Sequence, residues 1–375
     1  MRQILQRKQR VADGSDRSDH RHLRINPDRH LRDTTHMRPI FQPRLVNGPF
    51  SDPGLYVDVL FERRALLFDL GDIAALPPRK VLRTSHVFVT HTHMDHFIGF
   101  DRLLRICLGR ERPLTLYGPD GFIDQVQHKL AAFTWNLVEN YAVDLTITAC
   151  EVATVDGTLR RAAFNSRERF ARHDLSSSRL DRGVLLSEPA FQVRCAVLDH
   201  KTPCLAFAIQ EAMHVNVWKN RLTELGVAPG PWLRDLKRAV LAGASDDTPV
   251  TARWRDDHGA HEQRLPLGTL KEHALRLVPG EKIAYVTDVA FHAENARRIV
   301  DLASHADLLY IETTFLEEDA EDAARKYHLT ARQAGTIARD AGAQVMVPFH
   351  FSPRYTDCEL RLRAESQAAF GGVVA

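Results

Sequence analysis

The sequence predicts a layered α/β protein, in which helices pack on β-sheets. Short runs of β-branched and aromatic residues, typical of buried strands, alternate along the chain with segments whose apolar residues recur at helical spacing. The chain has 375 residues, of which 44% are hydrophobic and 26% are charged, and it can therefore bury one large core or two modest ones.

The predicted elements of the first half begin with a β-hairpin and continue as alternating strands and helices. A Pro-Pro pair interrupts the chain at 77–78, and Leu103, Leu104 and Cys107 have the spacing of a buried helix face. The predicted strands lie at 55–62, 65–72, 86–90 and 114–118, and the predicted helices at 100–108 and 122–133. The hairpin directs Asp69 towards the core. Residues 160–183 are polar and Arg-rich, and we assign them only to loops and weak strands.

The ends of the chain differ in composition from the middle. Residues 1–36 carry many Arg, Asp and His residues without apolar periodicity, and we expect a disordered leader. The change in composition at Met37 suggests that translation starts there. We expect one folded domain at 37–360 and a C-terminal tail at 361–375.

Charge and cysteine content limit the classes of function. The formal net charge of +2 is too small to indicate a nucleic-acid binder by itself, so a polyanion site would have to be a local concentration of charge. The 5 cysteines are scattered and form no CxxC pair, which indicates a reduced, cytoplasmic protein. No apolar run is long enough for a membrane span, and the N-terminus lacks the apolar centre of a signal peptide, so we expect no membrane partner.

A dense group of potential metal ligands follows the strand at 86–90. His91, His93, Asp95 and His96 lie within six residues, and alternate positions of an extended segment project to the same side. One strand end can therefore provide ligands for two cations. Imidazole and carboxylate suit zinc or manganese, and two such ions about 3.5–4 Å apart are a common device for hydrolysing phosphate esters.

Apolar runs in the second half place further ligand types at their ends. Two runs flank His200, a third ends at Asp288, and the last ends at His350. A carboxylate that ends a buried strand is seldom structural, so Asp288 is a candidate to bridge two metals.

His328 precedes a helix predicted at 331–341, because Thr330 and Gln333 have the spacing of a capping box and Gly342 follows. A helix N-terminus favours anions and lowers the pKa of a nearby imidazole, so His328 is placed to contact a phosphate or exchange a proton.

Residues 211–240 combine cationic and aromatic side chains with a Pro-Gly-Pro break, which predicts a bent arm suited to phosphates and stacked bases. An ordinary exposed loop and helix would have the same charge pattern. Residues 242–280 are polar and turn-rich, and we assign no site there.

The HxHxDHxxG pattern at 91–99 resembles the metallo-β-lactamase superfamily. Two further motifs, GxxPGPxxxxLK at 226–237 and HFSxRY at 350–355, resemble the ribonuclease Z branch of that superfamily, which trims the 3′ end of precursor tRNA. The chain departs from the branch where Thr287-Asp288-Val289 replaces Gly-Asp-Thr and where Ile311 replaces a histidine.

The resemblance implies the αββα sandwich of the superfamily, with two pseudo-repeated halves and a homodimer. It also implies two Zn²⁺ per chain, with Mn²⁺ as the alternative. In the expected assignment, His91, His93 and His200 bind one ion, Asp95, His96 and His350 bind the other, and Asp288 bridges them. Asp95 would also hold or deprotonate the attacking water, and His328, oriented by Glu312, would act on the leaving oxygen. The expected substrate-binding residues are Ser352, Arg354, Tyr355, Trp218, Lys219, Arg221, Gly230 and Lys237.

The function expected from these features is a metal-dependent endoribonuclease that acts on precursor tRNA and leaves a 3′-hydroxyl. The ligands are all histidine or aspartate, a harder set than the cysteine-containing sites of many lactamases, and they suit phosphate chemistry. Two alternatives stay open: a phosphodiesterase for small or cyclic nucleotides, and a noncatalytic RNA-binding protein with structural metals. Structural zinc sites are usually closed and rich in cysteine, unlike this one.

Overall fold

The computed structural model describes residues 40–60, 62–256 and 259–375. The leader expected at 1–36 and the change of composition at Met37 lie outside these residues. The strands, in chain order, are β1 (Phe41–Leu45), β2 (Leu55–Val59), β3 (Arg64–Phe68), β4 (Thr84–Phe88), β5 (Leu114–Gly118), β6 (Thr146–Ala153), β7 (Thr158–Asn165), β8 (Arg172–Arg179), β9 (Val184–Ser187), β10 (Phe191–Asp199), β11 (Pro203–Glu211), β12 (His214–Val217), β13 (Pro249–Asp256), β14 (Gly259–Pro266), β15 (Leu275–Val278), β16 (Lys282–Val286), β17 (Leu308–Glu312), β18 (Val345–Phe349) and β19 (Val373–Val374).

The α-helices occupy the connections between these strands and the C-terminal segment. They are α1 (Pro78–Val81), α2 (Met94–Phe97), α3 (Phe100–Cys107), α4 (Phe122–Ala131), α5 (Lys219–Glu224), α6 (Trp232–Leu241), α7 (Leu267–His273), α8 (Ala293–Ala303), α9 (Ala320–Lys326), α10 (Ala331–Asp340) and α11 (Glu359–Phe370). The predicted capping box is present at the start of α10, where Thr330 accepts from Gln333 N and the Gln333 side chain accepts from Thr330 N.

Two sheets form the centre of the fold. The first contains β1 to β8 in sequential order, and the second has the order β19-β18-β17-β16-β11-β10-β9. Each sheet combines antiparallel hairpins with parallel strands: β3 to β6 run parallel in the first sheet, and β16 to β19 run parallel in the second. Parallel neighbours need a crossover connection, which explains the helices between them.

Alternating side chains divide the apolar residues among three layers of core. In β3, Leu66 and Phe68 pack between the two sheets together with Phe207 and Tyr285 of the second sheet. The opposite face of the first sheet packs on α3 and α4, and that of the second sheet packs on α8 and α10. The protein is therefore an αββα sandwich, as the sequence predicted.

Three segments differ from the sequence-based expectations. Residues 160–183, expected to form loops and weak strands, contain most of β7 and all of β8, which are regular strands of 8 residues each. The signal of β8 was weak because all of its residues are exposed, so it has no apolar alternation. The expected tail at 361–375 instead contains most of α11, whose Leu362 and Phe370 are buried, and the short strand β19.

The arm expected at 211–240 continues to Val278, where β15 pairs with β12. Its hairpin β13–β14 and its helices α5, α6 and α7 enclose a small core of their own, which includes Leu222, Leu236 and Leu270. The sequence did not reveal this unit because its apolar residues are spread thinly over several short elements.

Candidate metal centre

The candidate metal ligands meet at one edge of the sandwich, where strands of both sheets end. His91 follows β4, His200 lies in the turn between β10 and β11, and Asp288 and His350 follow β16 and β18. In open sheets of parallel strands, the carboxyl ends are the usual place for functional groups. The structure thus brings together ligands that are up to about 260 residues apart, such as Asp95 and His350 (|i−j| = 255).

A first cluster contains His91, His93, His200 and Asp288, whose candidate ligand atoms all lie within 4.8 Å of one another. The Nε2 atoms of His91 and His200 are 3.7 and 3.5 Å from Asp288 Oδ2. His200 is held by a 2.8 Å hydrogen bond between its Nδ1 and Tyr327 O, which leaves its Nε2 pointing towards the cluster. These four residues are those expected for the first ion and the bridge.

A second cluster contains Asp95, His96 and His350, again with ligand atoms within 4.8 Å of one another. His96 Nε2 lies 3.5 Å from both Asp95 Oδ2 and Asp288 Oδ2, so Asp288 faces both clusters. Asp95 and His96 lie in the short helix α2, and the motif ends at Gly99, where a Cβ atom would lie 2.2 Å from Gly71 O. A glycine is therefore required for this turn to pack against the segment after β3 that contains Asp69 and Gly71.

Two candidate residues stand at strand ends in the left-handed region. Asp69 has φ = 57° and His350 has φ = 58°, a conformation that is costly for residues other than glycine. The surrounding contacts maintain it: Asp69 is bound from three sides, and His350 O accepts a 2.9 Å hydrogen bond from Thr314 Oγ1. Each strand end is thereby turned so that its side chain enters the site.

Asp69 is the principal residue whose role the sequence left undefined. It is fully buried, and its Oδ2 accepts hydrogen bonds from His96 Nδ1 (2.9 Å) and Tyr285 Oη (3.1 Å). Its Oδ1 accepts from Thr90 N at 2.7 Å. A carboxylate bound to Nδ1 sets the tautomer in which Nε2 keeps its lone pair, the arrangement found behind many metal-ligating histidines. The signal in the sequence was a carboxylate within the apolar segment predicted as a strand at 65–72.

The close spacing of acidic and basic side chains in the two clusters shifts their pKa values. Burial lowers the pKa of His91 to about 2, and the charge of His96 adds to this effect. Burial opposes the charge of His96, but Asp288 and Asp69 raise the pKa of its imidazole well above the ordinary value. Burial likewise opposes ionisation of Asp288, yet His350 and His96 hold the pKa of this carboxyl well below its usual range. Asp288 is therefore ionised and ready to bind cations.

The unsatisfied atoms of the site fit metal ions. His96 Nε2 and His350 Nδ1 are buried and have no hydrogen-bond partner among the residues that the structure describes. Buried polar atoms without a partner are costly and call for an explanation such as a bound ion. The seven residues of the two clusters offer only imidazole nitrogen and carboxylate oxygen, the donors that zinc and manganese accept.

His328 and Glu312 form a buried pair beside the second cluster. His328 Nδ1 lies 3.0 Å from Glu312 Oε2, and Glu312 is itself held by Val289 N at 2.7 Å and by the hydroxyl of Thr314. Burial opposes protonation of His328, but the charge and hydrogen bond of Glu312 raise the pKa of the imidazole to about 9. The lowering expected from the N-terminus of α10 is therefore wrong, because the adjacent carboxylate dominates. One ligand atom of His328 also lies within 4.8 Å of those of Asp288 and His350.

The segment that follows His350 contributes less to the cleft than the sequence suggested. Ser352 lines the cleft, but Tyr355 is only 6% exposed and its hydroxyl binds Asp319. Arg354 binds Asp322 at 2.8 Å and Asp319 at 3.4 Å. In the structure, Arg354 and Tyr355 therefore make contacts that hold the loop, and their expected substrate contacts stay a prediction.

The arm residues expected to bind substrate have two kinds of environment. Trp218 is 40% exposed, and the Arg221 guanidinium lies 4.9 Å from its ring centroid; Lys219 is exposed and Lys237 is half-buried. Gly230 is different, because a Cβ atom there would lie 2.5 Å from Arg253 O. Gly230 therefore permits close packing of the Pro-Gly-Pro turn on β13 rather than contact with a ligand.

Comparison with known proteins agrees with this geometry. A family model described as "Beta-lactamase superfamily domain" matches residues 249–351. The chain is 34% identical over 335 residues to ribonuclease Z of Deinococcus radiodurans, covering 87% of this chain and 95% of that protein. It is 27% identical to ribonuclease Z of Treponema pallidum, covering 82% and 84% of the two chains.

Among solved structures, the fold is similar to the metallo-beta-lactamase fold protein YhfI from Bacillus subtilis. The TM-score is 0.51 at 17% sequence identity, and the match covers 89% of this chain and 95% of YhfI. This likeness supports the fold alone, whereas the identity to the Deinococcus protein extends over nearly the whole of both chains. The chain belongs to the ribonuclease Z family of the metallo-β-lactamase superfamily.

Proposed function

We propose that this protein is a metal-dependent endoribonuclease that hydrolyses a phosphodiester at the 3′ end of precursor tRNA and leaves a 3′-hydroxyl. The observation that carries the proposal is the joint presence, at one edge of the sandwich, of two histidine–aspartate clusters and the His328–Glu312 pair, with Asp95, His328 and His350 lining a cleft there. Membership of the ribonuclease Z family supports the choice of RNA as substrate.

Two divalent cations, Zn²⁺ with Mn²⁺ as the alternative, would be held by the two clusters. His91, His93 and His200 would bind one, Asp95, His96 and His350 the other, and Asp288 would bridge them. When bound, such ions polarise the phosphate and lower the pKa of an attacking water. Seven ligands of imidazole and carboxylate type, with no cysteine among them, support this set.

The protein's own side chains then supply the proton transfers. Asp95 lines the cleft, and its side chain is 43% exposed, so it can accept a proton from the attacking water. Burial would raise the pKa of Asp95, but hydrogen bonds from His350 and His96 hold it below the usual range, so the carboxylate is ionised. Its position, rather than its basicity, supports the role.

His328 is suited to act as the acid at the other side of the scissile bond. Glu312 occupies its Nδ1, which leaves Nε2 for the substrate, and the pKa near 9 keeps the imidazole protonated at neutral pH. The proton would pass to the leaving 3′-oxygen. His328 also lies near Asp288 and His350, but the bond to Glu312 favours a proton donor over a further ligand.

The arm supplies a second contact with RNA in this proposal. Trp218 offers an exposed ring for stacking, and Lys219, Arg221 and Lys237 offer positive charges for phosphates. Gly230 and the following turn would act indirectly, by packing the arm on β13.

We also infer a cytoplasmic homodimer. Cys107, Cys150, Cys195 and Cys204 are buried free thiols, which supports a reducing compartment. No helix in the described part of the chain is long and apolar enough to cross a membrane. The dimer rests on the family resemblance, and light scattering of the purified full chain measures it directly.

The test is cleavage of a precursor tRNA with a 3′ trailer, in the presence of zinc, manganese or EDTA, with the product end mapped to the nucleotide. A metal-dependent cut beside the discriminator base that leaves a 3′-hydroxyl supports the proposal, and Asp288→Asn should abolish it. The matched control is Asp58→Asn, which removes a carboxylate of β2 that binds Arg83.

Brisk hydrolysis of bis(p-nitrophenyl) phosphate without any cut in the tRNA would contradict the proposal. That result would assign the site to a phosphodiesterase for small or cyclic nucleotides. Binding of precursor tRNA without hydrolysis of either substrate would instead indicate a noncatalytic RNA-binding protein.

A further inference from the structure

A cleft of about 310 Å³ opens beside the second ligand cluster. Asp95, His328 and His350 form its inner wall. We call the remaining lining residues, 50–52, 314–315, 351–353 and Lys326, the outer wall. A polynucleotide that reaches the metal centre through this cleft passes the outer wall.

Neighbouring arginines cannot provide the positive charge that such a strand needs. Arg354 is bound to Asp319 and Asp322, and Arg325 is also bound to Asp322 at 2.5 Å. The Arg354 guanidinium lies 5.4 Å from the centroid of the Phe315 ring. These arginines neutralise the acidic residues near the cleft and are occupied in doing so.

Lys326 differs from both arginines. It lines the cleft, its side chain is exposed, and it forms no ion pair within the described part of the chain. Its Nζ lies 5.6 Å from the centroid of the Phe315 ring, and that centroid lies 6.1 Å from the centroid of the His328 ring. The ammonium is therefore on the His328 side of the metal centre.

The backbone holds Lys326 in this place. It is the last residue of α9, and the helix is ended by Tyr327, whose φ of 62° turns the chain towards His328. The cation–π contact with Phe315 positions the ammonium without neutralising it. An ammonium is a compact, strongly hydrated charge that commonly contacts phosphate.

We propose that Lys326 binds the phosphodiester group immediately 5′ to the nucleotide whose 3′-oxygen leaves. This inference rests on the proposed function, because His328 marks the side of the leaving oxygen. The phosphate that flanks the scissile one on that side passes the outer wall of the cleft, where Lys326 is the only lysine or arginine among the lining residues. Lys326 thus offers the cleft a positive charge that Arg354, an expected substrate-binding residue, directs to Asp319 and Asp322.

The experiment measures kcat/KM with the full chain and two precursor tRNAs. One RNA carries an ordinary phosphate at the proposed contact and the other a neutral methylphosphonate, with the same 2′-O-methyl ribose before that linkage in both. The enzymes are the wild type, Lys326→Gln and Lys326→Arg. Arg325→Gln is the matched control, since it removes one positive charge from the same helix outside the cleft.

We expect Lys326→Gln to lose about tenfold on the phosphate RNA, which is the effect of one hydrogen bond to a charged group. The wild type should lose a similar factor on the methylphosphonate RNA, and Lys326→Gln should lose nothing further there, because the two changes remove the same contact. The slope of log kcat/KM against log salt should fall by about 1 in Lys326→Gln. Lys326→Arg should restore most of the activity, and Arg325→Gln should equal the wild type.

The opposite results overturn the proposal in distinguishable ways. If the wild type cleaves the phosphate RNA and Lys326→Gln matches it, Lys326 does not bind this phosphate, although the proposed function stands. Independent, multiplicative losses from the variant and the methylphosphonate would likewise assign the phosphate to another residue. If the wild type cleaves neither RNA, the proposed function falls, and this inference falls with it.

Discussion

Replacing Asp69 by asparagine should weaken one of the two metal sites and leave the other intact. The Asp69 carboxylate accepts hydrogen bonds from Thr90 N, which is fixed by the backbone, from the Thr90 hydroxyl, and from His96 Nδ1 and Tyr285 Oη, which bind Oδ2. An asparagine keeps the shape but has one oxygen and one amide nitrogen. If its oxygen stays with Thr90 N, its NH₂ group faces His96.

The substitution changes the protonation of His96 Nε2. To accept a hydrogen bond from the asparagine, His96 must hold its proton on Nε2, the atom that lies 3.5 Å from both Asp95 and Asp288. That nitrogen then has no lone pair for a metal. Loss of such a supporting carboxylate typically costs about 10–100-fold in metal affinity, or about 1.4–2.7 kcal/mol. We expect the metal-free protein to lose about 1–3 kcal/mol of unfolding free energy, because a buried donor goes unsatisfied.

The assay is a stepwise zinc titration of the metal-free protein against a competing chelator, together with chemical denaturation. The weaker site of the variant should be the one that contains His96, while the site of His91, His93 and His200 keeps the wild-type affinity. Asp58→Asn is the control, because Asp58 binds Lys80 and Arg83 and belongs to neither cluster. Two wild-type zinc affinities in Asp69→Asn would refute the tautomer argument.

Three further predictions concern Thr287, His328 and the arm. Thr287→Val should weaken zinc binding several-fold, because Thr287 Oγ1 donates a 2.9 Å hydrogen bond to Asp288 Oδ1. Thr287→Ser keeps the hydroxyl and should bind zinc like the wild type. Equal zinc affinities in both variants would exclude a role for the hydroxyl. In the folded protein, Glu312 raises the pKa of His328 to about 9, although burial opposes this. The pairing of protonated His328 with Glu312 therefore stabilises the metal-free protein fully below about pH 6.5, and this stabilisation is lost as the pH rises through 9. Denaturation should show a fall of up to about 3 kcal/mol over that interval in the wild type but not in His328→Ala, and the same fall in both proteins would contradict the assignment. Trp218→Ala should raise KM for precursor tRNA several-fold without lowering kcat, because its 40% exposed ring lies on the arm and outside the cleft; a loss in kcat alone would place Trp218 in the chemical step instead.

Local patterns in the sequence, together with the family resemblance, predicted most of the central layers and the members of the two ligand clusters. His91, His93, Asp95 and His96 are adjacent in the chain, so their proximity follows from the strand that precedes them. Asp288 could be singled out because it ends an apolar run, whereas His200 was assigned through the family resemblance, since a lone histidine between two strands is usually structural. The capping box at Thr330 is equally local, since it requires only residues three positions apart.

Tertiary structure alone decided the contacts between distant segments. The hydrogen bond from Tyr285 to Asp69 joins residues 216 positions apart, and no periodicity in either strand indicates it. Arg354 and Tyr355 match a motif, but acidic residues of the preceding helical segment occupy them, and Lys326 is left to face the cleft. Sequence patterns report which face of an element is apolar, whereas pairing between charges depends on which elements become neighbours. For this protein, the sequence determined the chemistry that is available at the strand ends, and only the folded chain determined which charged groups remain free for a substrate.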